Sequence, residues 1–256
     1  MRRDGRTSLV SCLLVYSVGL ALATLHAAGV VRSSGDPPES MGLASDGDGP
    51  RRVYELRQRA RETRTCDVAQ ATRLVHDATR HVAQREVRFS ENWLQYVLGY
   101  AYPPLRQTQD VDLLIQGGVG NCSDRCQILK SVAEAAGMKC RFVGLNGHVV
   151  LEVLTDGGWT TCDPDYNVVY PLPTDELARP SRELLLRAPL TTGYPRDVID
   201  RYVAIFQSQH DNVRLPIGSP LSPRLYVAEL VLSWLCWVVP AACMALGSWR
   251  LVMRAA

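Results

Sequence analysis

Gly117-Gly118-Val119-Gly120-Asn121-Cys122-Ser123-Asp124 leads into a run in which Ile128, Leu129, Val132, Ala133 and Ala136 recur at helical spacing. The glycines ahead of it permit a tight turn and close backbone approach. Asn121 is a favoured helix N-cap residue, and Gly137 ends the pattern. The stretch therefore predicts an amphipathic helix with Cys122 in its first turn. Unpaired N–H groups and the positive end of the helix dipole lie there, and both favour a thiolate over a thiol. Alone, a glycine-flanked cysteine is a weak signal, because a buried structural cysteine satisfies it equally well.

The segments that follow strengthen it. Cys140 to Leu145 reads as a strand. From His148 to Leu154 the chain alternates: His148, Val150 and Glu152 face one way, and Val149, Leu151 and Val153 the other. Asp156-Gly157-Gly158 is a turn signal, and Trp159 to Asp163 returns as a third strand. A loop of two or four residues centred on Asp156 and Gly157 sets Val150 opposite Asp163. His148 is then a diagonal neighbour of Asp163 on the same face, about 7–8 Å away at the backbone. An aspartate bonded to an imidazole fixes its tautomer and stabilises the imidazolium. Spacing alone does not dock the Cys122 helix onto the edge of this sheet.

Upstream, residues 53 to 64 are charged and suit a solvated helix. Asp67 to Ala83 carries Val68, Ala71, Val75, Ala78 and Val82 at helical spacing. Ser90 is the expected cap of a helix running to about Tyr100, which Pro103 and Pro104 stop. Downstream, Thr174 to Arg187 and Arg196 to Gln207 read as helices covering the domain's flank. His76 and His81 do not share a helix face and are expected on the surface. Glu152 is either polar lining or, the preferred reading, a solvent-facing carboxylate, and Asp165 and Tyr166 either line a site or form a turn.

Hydrophobic residues make up 46% of the 256 and charged residues 21%, enough for one packed domain with appendages. A formal net charge of +2 gives no nucleic-acid surface. Lys130 and Lys139 are the only lysines, and that bias toward arginine carries no mechanism. The eight cysteines include no C-x-x-C pair, so neither a zinc ribbon nor a thioredoxin-like motif is indicated. Cys126, one turn after Cys122, is better placed for packing than for a disulfide. Cys66, Cys140 and Cys162 are candidates for a bridge in an oxidising compartment, without a preferred pair. Cys122, Cys126, Cys140 and His148 lack the spacing of a zinc knuckle, so neither a metal nor a cofactor is expected.

Two apolar segments bracket the chain. Ser8 to Val31 suits a bilayer span, and Arg2, Arg3 and Arg6 ahead of it place the N-terminus in the cytoplasm. Ala21-Leu22-Ala23 also fits a cleaved signal peptide. Leu230 to Trp249 is a second charge-free run. The expected organisation is a cytoplasmic tail (1–7), a transmembrane helix or signal peptide (8–31) and a Gly/Ser/Pro-rich linker (32–52). A globular domain (53–222), a transmembrane helix (225–249) and a second cytoplasmic tail (250–256) follow. The globular domain then faces the periplasm or the cell exterior from the inner membrane.

The segments "GNCSDRC…LKSVAEAAGMKCRFVGL", "GHVVLEV" and "GGWTTCDPDYNV" resemble the transglutaminase-like (papain-type) thiol superfamily. That pattern has a G-x-C helix start, an A-G-[apolar]-x-x-R strand, an H-x-x-x-E-[apolar] strand and a W-x-x-x-D-P strand end. The resemblance covers about residues 105 to 170. It implies an α+β fold, with the Cys122 helix packed on a short antiparallel sheet; flanking helices and, from the two apolar segments, two transmembrane helices complete the expected architecture. It implies Cys122 as nucleophile, His148 as general base and acid, and Asp163 as orienting carboxylate, acting on an amide or ester of a protein or peptide. Arg141 matches the family's strand arginine and is structural. Val150 stands where the family often has Trp, and Cys126 where a small apolar residue is usual. The oxyanion donor is open between Trp93, Gln109 and the Cys122 backbone N–H. Two functions fit: a membrane-anchored hydrolase or acyl transferase, or a catalytically idle binding or scaffold module in envelope or polysaccharide assembly.

Overall fold

Among the described residues, side-chain caps fix the starts of four helices. The structure, a computed structural model, describes residues 13–25, 27, 48–82, 85–145, 147–177, 195–207 and 212–255. Its helices are α1 (Leu13–Leu25), α2 (Gly49–Thr63), α3 (Val68–Ala78), α4 (Trp93–Ala101) and α5 (Val111–Gly117). They continue as α6 (Cys122–Ala135), α7 (Thr174–Leu177), α8 (Arg196–Gln207) and α9 (Pro223–Ala255). The strands are β1 (Arg80–His81), β2 (Val119–Gly120), β3 (Cys140–Leu145), β4 (His148–Thr155), β5 (Gly158–Asp163), β6 (Val168–Tyr170) and β7 (Val213–Arg214). Asp67 caps α3 through the N–H groups of Ala69 and Gln70. Asp110 caps α5 in the same way through Asp112 and Leu113. Each carboxylate satisfies first-turn donors that have no partner within the helix.

Two compact units divide the chain: residues 37–85 with 109–223, and residues 1–36 with 86–108 and 224–256. In the first, β6-β5-β4-β3-β7 form an antiparallel sheet, two strands wider than the sequence predicts. The extra strands are short edges, and two or three residues do not establish an alternating pattern. Thr155 pairs with Gly158, so the β4–β5 turn is the two-residue Asp156-Gly157 loop. Leu151 pairs with Cys162, which sets Val150 level with Asp163, the predicted register. Leu145 pairs with His148 across another two-residue connection, where Gly147 has a φ of 87° that favours glycine.

The sheet is covered on both faces. One layer packs Phe142, Leu151, Val153 and Cys162 against α2, α3, α5 and α6, with Ile128, Leu129 and Val132 fully buried. Burial of each such side chain contributes roughly 1.5–3 kcal/mol. The other layer packs Val143, Leu145, Val150 and Tyr170 against Ile199, Tyr202, Val203 and Phe206 of α8. Alternation along β4 thus separates the residues facing α6 from those facing α8.

Glu152 overturns the expectation of a solvent-facing carboxylate. It is fully buried, 2.6 Å from Arg141 Nε and 3.5 Å from Arg214 Nε. Its other oxygen accepts from the Thr174 N–H at 2.7 Å and hydroxyl at 2.6 Å. Arg141 also stacks on Trp159 at 4.0 Å, the structural role expected of it. The start of α7, in the segment expected to cover the domain's flank, closes over the Glu152 carboxylate.

In the second unit, Glu86 and Gln107 bridge the ends of a segment containing α4 and a 3-10 turn, Pro103–Arg106. Asn92, not Ser90, caps α4, accepting from the Gln95 N–H at 2.9 Å. Helix α9 carries a 27-residue stretch, Pro223–Trp249, long and apolar enough to cross a membrane. The N-terminal segment does not match it. Helix α1 spans 13 described residues, about 20 Å at 1.5 Å per residue, against the roughly 30 Å of a bilayer core. Among the described residues there is therefore one such helix, not two. Most of the 32–52 linker, the ends of the 8–31 segment and 178–187 of the Thr174 helix lie outside the described residues. Residues 49–52 of that linker are already helical in α2.

Glu152 supplies a stability test. Burial pushes its carboxyl up, but hydrogen bonds from Thr174 and Arg141 outweigh burial and hold it below the ordinary value of 4.5. A depressed carboxylate stabilises the fold above its unfolded value, and the gain is lost as pH falls through the folded value. Glu152→Ala is expected to cost about 3 kcal/mol at neutral pH, because it strands two arginines beside the core. The deficit should shrink below pH 4.5 in thermal melts of the full chain.

Candidate functional site

Helix α6 starts with a reciprocal cap. Asn121 Oδ1 accepts from the Asp124 N–H at 3.1 Å, and Asp124 Oδ2 accepts from the Asn121 N–H at 3.1 Å. Ser123 adds a 2.6 Å bond to Asn121 Oδ1. This box explains one glycine of the motif: a Cβ at Gly120 would lie 2.6 Å from the Asp124 Cβ. Gly118, with a φ of 58°, closes α5 and lets β2 pair in parallel with β1. Arg125 N–H bonds to the Asn121 carbonyl, so the donors left in the first turn are those of Cys122 and Ser123. The half-buried Cys122 thiol sits among them.

From the sheet, His148 Nε2 lies 2.7 Å from Asp163 Oδ2. That leaves Nδ1 as the ring nitrogen not taken by Asp163, and the Cys122 thiol lies near enough to favour the charged imidazole. Asp163 is fully buried, and its second oxygen accepts from the Asp165 N–H at 3.0 Å and the Tyr166 N–H at 3.3 Å. The rings of Tyr166 and Tyr202 pack edge-on to the imidazole at 5.5 and 6.5 Å. Burial disfavours a charged His148. The Asp163 carboxylate outweighs it, with a smaller contribution from Cys122, and holds the imidazolium well above 6.5. The structure thus brings Cys122, His148 and Asp163 together at the ends of α6, β4 and β5.

Arg125 joins these elements. It is 3% exposed and sits one turn along α6 from Cys122. Its guanidinium donates to the carbonyls of Asp165 at 3.2 Å, Pro164 at 3.4 Å, and Thr79 at the end of α3. It also pairs with the Asp165 carboxylate at 3.1 Å. His81 bonds the same carboxylate at 2.7 Å, and His76 donates to the Pro164 carbonyl at 3.1 Å. Both histidines, expected on the surface, hold the turn that follows Asp163. Asp165 and Tyr166 form that turn and also border the imidazole.

Sequence reasoning missed Arg125 and Tyr202. An arginine between Asp124 and Cys126 reads as a solvated helix position, and only the docked turn supplies its carbonyls. Tyr202 shares an apolar stripe with Ile199, Val203 and Phe206, which predicts a core helix but not its neighbour. Of the candidate oxyanion donors, Trp93 opens α4 in the other unit, and Gln109 is buried ahead of α5. Cys126 is fully buried, its thiol 3.3 Å from the Val149 carbonyl, a packing position. Among the described residues the cysteines are unbridged, and no cluster of three metal-ligating side chains occurs.

Arg125→Met is expected to cost about 3–5 kcal/mol, since it leaves the Asp165 carboxylate and three carbonyls without their buried partner. Arg125→Lys should recover only part of this, because an ammonium cannot span the fork that reaches two chain segments. Thermal melts of the full-length variants measure both effects.

The match to known proteins falls on these elements. The model of the transglutaminase-like superfamily aligns with residues 68–164, from the first residue of α3 to the residue after Asp163. No curated protein and no solved structure matches the chain at a significant level. Residues 68–164 are a transglutaminase-like superfamily domain.

Proposed function

We propose that the domain is a thiol acyl-transfer enzyme in which Cys122 is the nucleophile, His148 the general base and acid, and Asp163 the orienting carboxylate. The observation that carries this reading is the buried 2.7 Å His148–Asp163 bond, which leaves the other ring nitrogen for the nearby thiol at the start of α6. A structural cysteine needs no such partner. His148 holds the proton given up by the thiol as an imidazolium, and the thiolate sulfur attacks the carbonyl carbon of an amide or ester of a peptide or protein. The Cys122 and Ser123 N–H groups are positioned to stabilise the developing oxyanion. The imidazolium protonates the leaving amine or alcohol as its bond to carbon breaks, leaving an acyl group on sulfur. Water or an amine then gives up a proton to His148, attacks the thioester and releases the thiol. Hydrolysis and transfer share the first half of this sequence. A membrane anchor through α9, with the domain outside the cytoplasm, completes the proposal.

Turnover of an acyl-peptide library tests it. Cys122→Ser should lower turnover roughly a thousand-fold or more, since a serine hydroxyl is a far weaker nucleophile at its own pKa. Asp163→Asn should lower it strongly while the fold persists, and Cys126→Ala should change it little. Equal turnover by wild type and Cys122→Ser removes the enzyme reading and leaves a binding module.

The His148 pair also predicts a pH dependence of stability. A raised folded value contributes stability that is complete below 6.5 and lost as pH climbs through the folded value. Wild type should therefore lose stability above pH 6.5 relative to His148→Gln, measured as melting temperature against pH.

A further inference from the structure

From Asn92 to Leu105 the chain has no charged residue, and four of its members are aromatic: Trp93, Tyr96, Tyr100 and Tyr102. Most of this stretch is α4. Its inner side is fixed: Gln95 is buried and donates to the Gln107 carbonyl at 3.0 Å, and a Cβ at Gly99 would meet the Arg106 side chain at 2.5 Å. Its outer side is apolar and open, with Tyr100 66%, Tyr102 57% and Val97 49% exposed. Charges gather at the two ends instead, at Arg88 with Glu91 and at Arg106 with Glu86.

Helix α9 gives this face a depth. No charge occurs from Leu230 to Trp249, and Glu229, just ahead, is held by the Thr108 hydroxyl at 2.6 Å. Asn92, the cap of α4, donates to Ser233 Oγ at 3.1 Å and lies 3.1 Å from Cys236 Sγ. At 1.5 Å per residue, Ser233 and Cys236 are about 5 and 9 Å inside the charge-free stretch. Interfacial amphipathic helices bury their apolar face by roughly that depth, 5–10 Å. Tyrosine and tryptophan are the side chains enriched there, with rings in the hydrocarbon and polar tips at the headgroups. The Tyr96 and Tyr100 hydroxyls, 2.9 Å apart, satisfy each other's polarity.

We infer that α4 is a membrane-interface helix, its Val97, Leu98, Tyr100 and Tyr102 face lying in the lipid leaflet that the start of α9 crosses. This goes beyond the acyl-transfer reading and rests on α9 spanning the bilayer. Lipid is favoured over a second copy of the chain because the patch is continuous with the charge-free face of α9 and is fastened to it at a matching depth. Val97→Asp with Tyr100→Asp places two charges on exposed positions, so the fold is retained while entry into lipid is opposed.

The full chain, reconstituted in phosphatidylethanolamine/phosphatidylglycerol vesicles containing a phospholipid with a photoreactive diazirine in its acyl chain, tests the inference. Lipid adducts are mapped by mass spectrometry. Adducts on the α4 peptide at no less than about a tenth of the yield on α9, and their loss in the double variant, are expected. Adducts on α9 with none on α4 overturn the inference and leave the span intact. Absence of adducts on both helices overturns the span and the inference with it. Cross-links between α4 segments of two chains in place of lipid adducts assign the face to a second copy and also overturn it.

Discussion

The Arg125 guanidinium is the joint on which the arrangement depends. It belongs to the helix that carries Cys122, and it holds three carbonyls and one carboxylate from segments that lie far away in sequence. Two of those carbonyls, from Pro164 and Asp165, directly follow Asp163. A single buried side chain therefore sets the Cys122 helix against the turn that follows Asp163. Such a cation is expensive to desolvate, and it persists because its two terminal nitrogens both meet oxygens. Planarity matters as well, since a fork reaches two chain segments at once where a point charge would serve one.

The same logic governs Asp163. A fully buried carboxylate requires donors, and it has them: one imidazole and two backbone N–H groups of its own turn. The turn bonds keep the carboxylate from rotating, so its remaining oxygen is directed at His148. Tyr166 and Tyr202 hold the imidazole from the side. Strand register provides the coarse placement, and these local bonds refine it. Electrostatics and packing thus act on the same ring, one setting its charge and the other its orientation.

Much of this was legible in the residues. The β4–β5 register follows from the alternation of His148 to Leu154 and from the Asp156-Gly157 turn, because a one-residue slip would invert every face. The start of α6 follows from Asn121 and the apolar spacing after it. What stayed hidden depends on segments meeting at a distance. Glu152 reads as solvent-facing because its strand neighbours do not reveal that Thr174 and Arg214 cover it. His81 is exposed, as its sequence reads, and His76 is half-buried; what the sequence hides is that both hold a turn more than eighty positions away. The N-terminal apolar run is long enough in sequence for a span, yet its described helix is not. Residues outside the described set include both of its ends.

Reactivity of the thiol tests the central claim most directly. The measurement is site-resolved alkylation of the full chain by iodoacetamide near neutral pH, in wild type and His148→Ala. Cys66 is the internal reference: it is also half-buried, and burial pushes its thiol up to about 11. The account predicts that Cys122 is modified well ahead of Cys66 and that His148→Ala removes most of that lead. Modification of Cys122 no faster than Cys66, with no effect of His148→Ala, would contradict it.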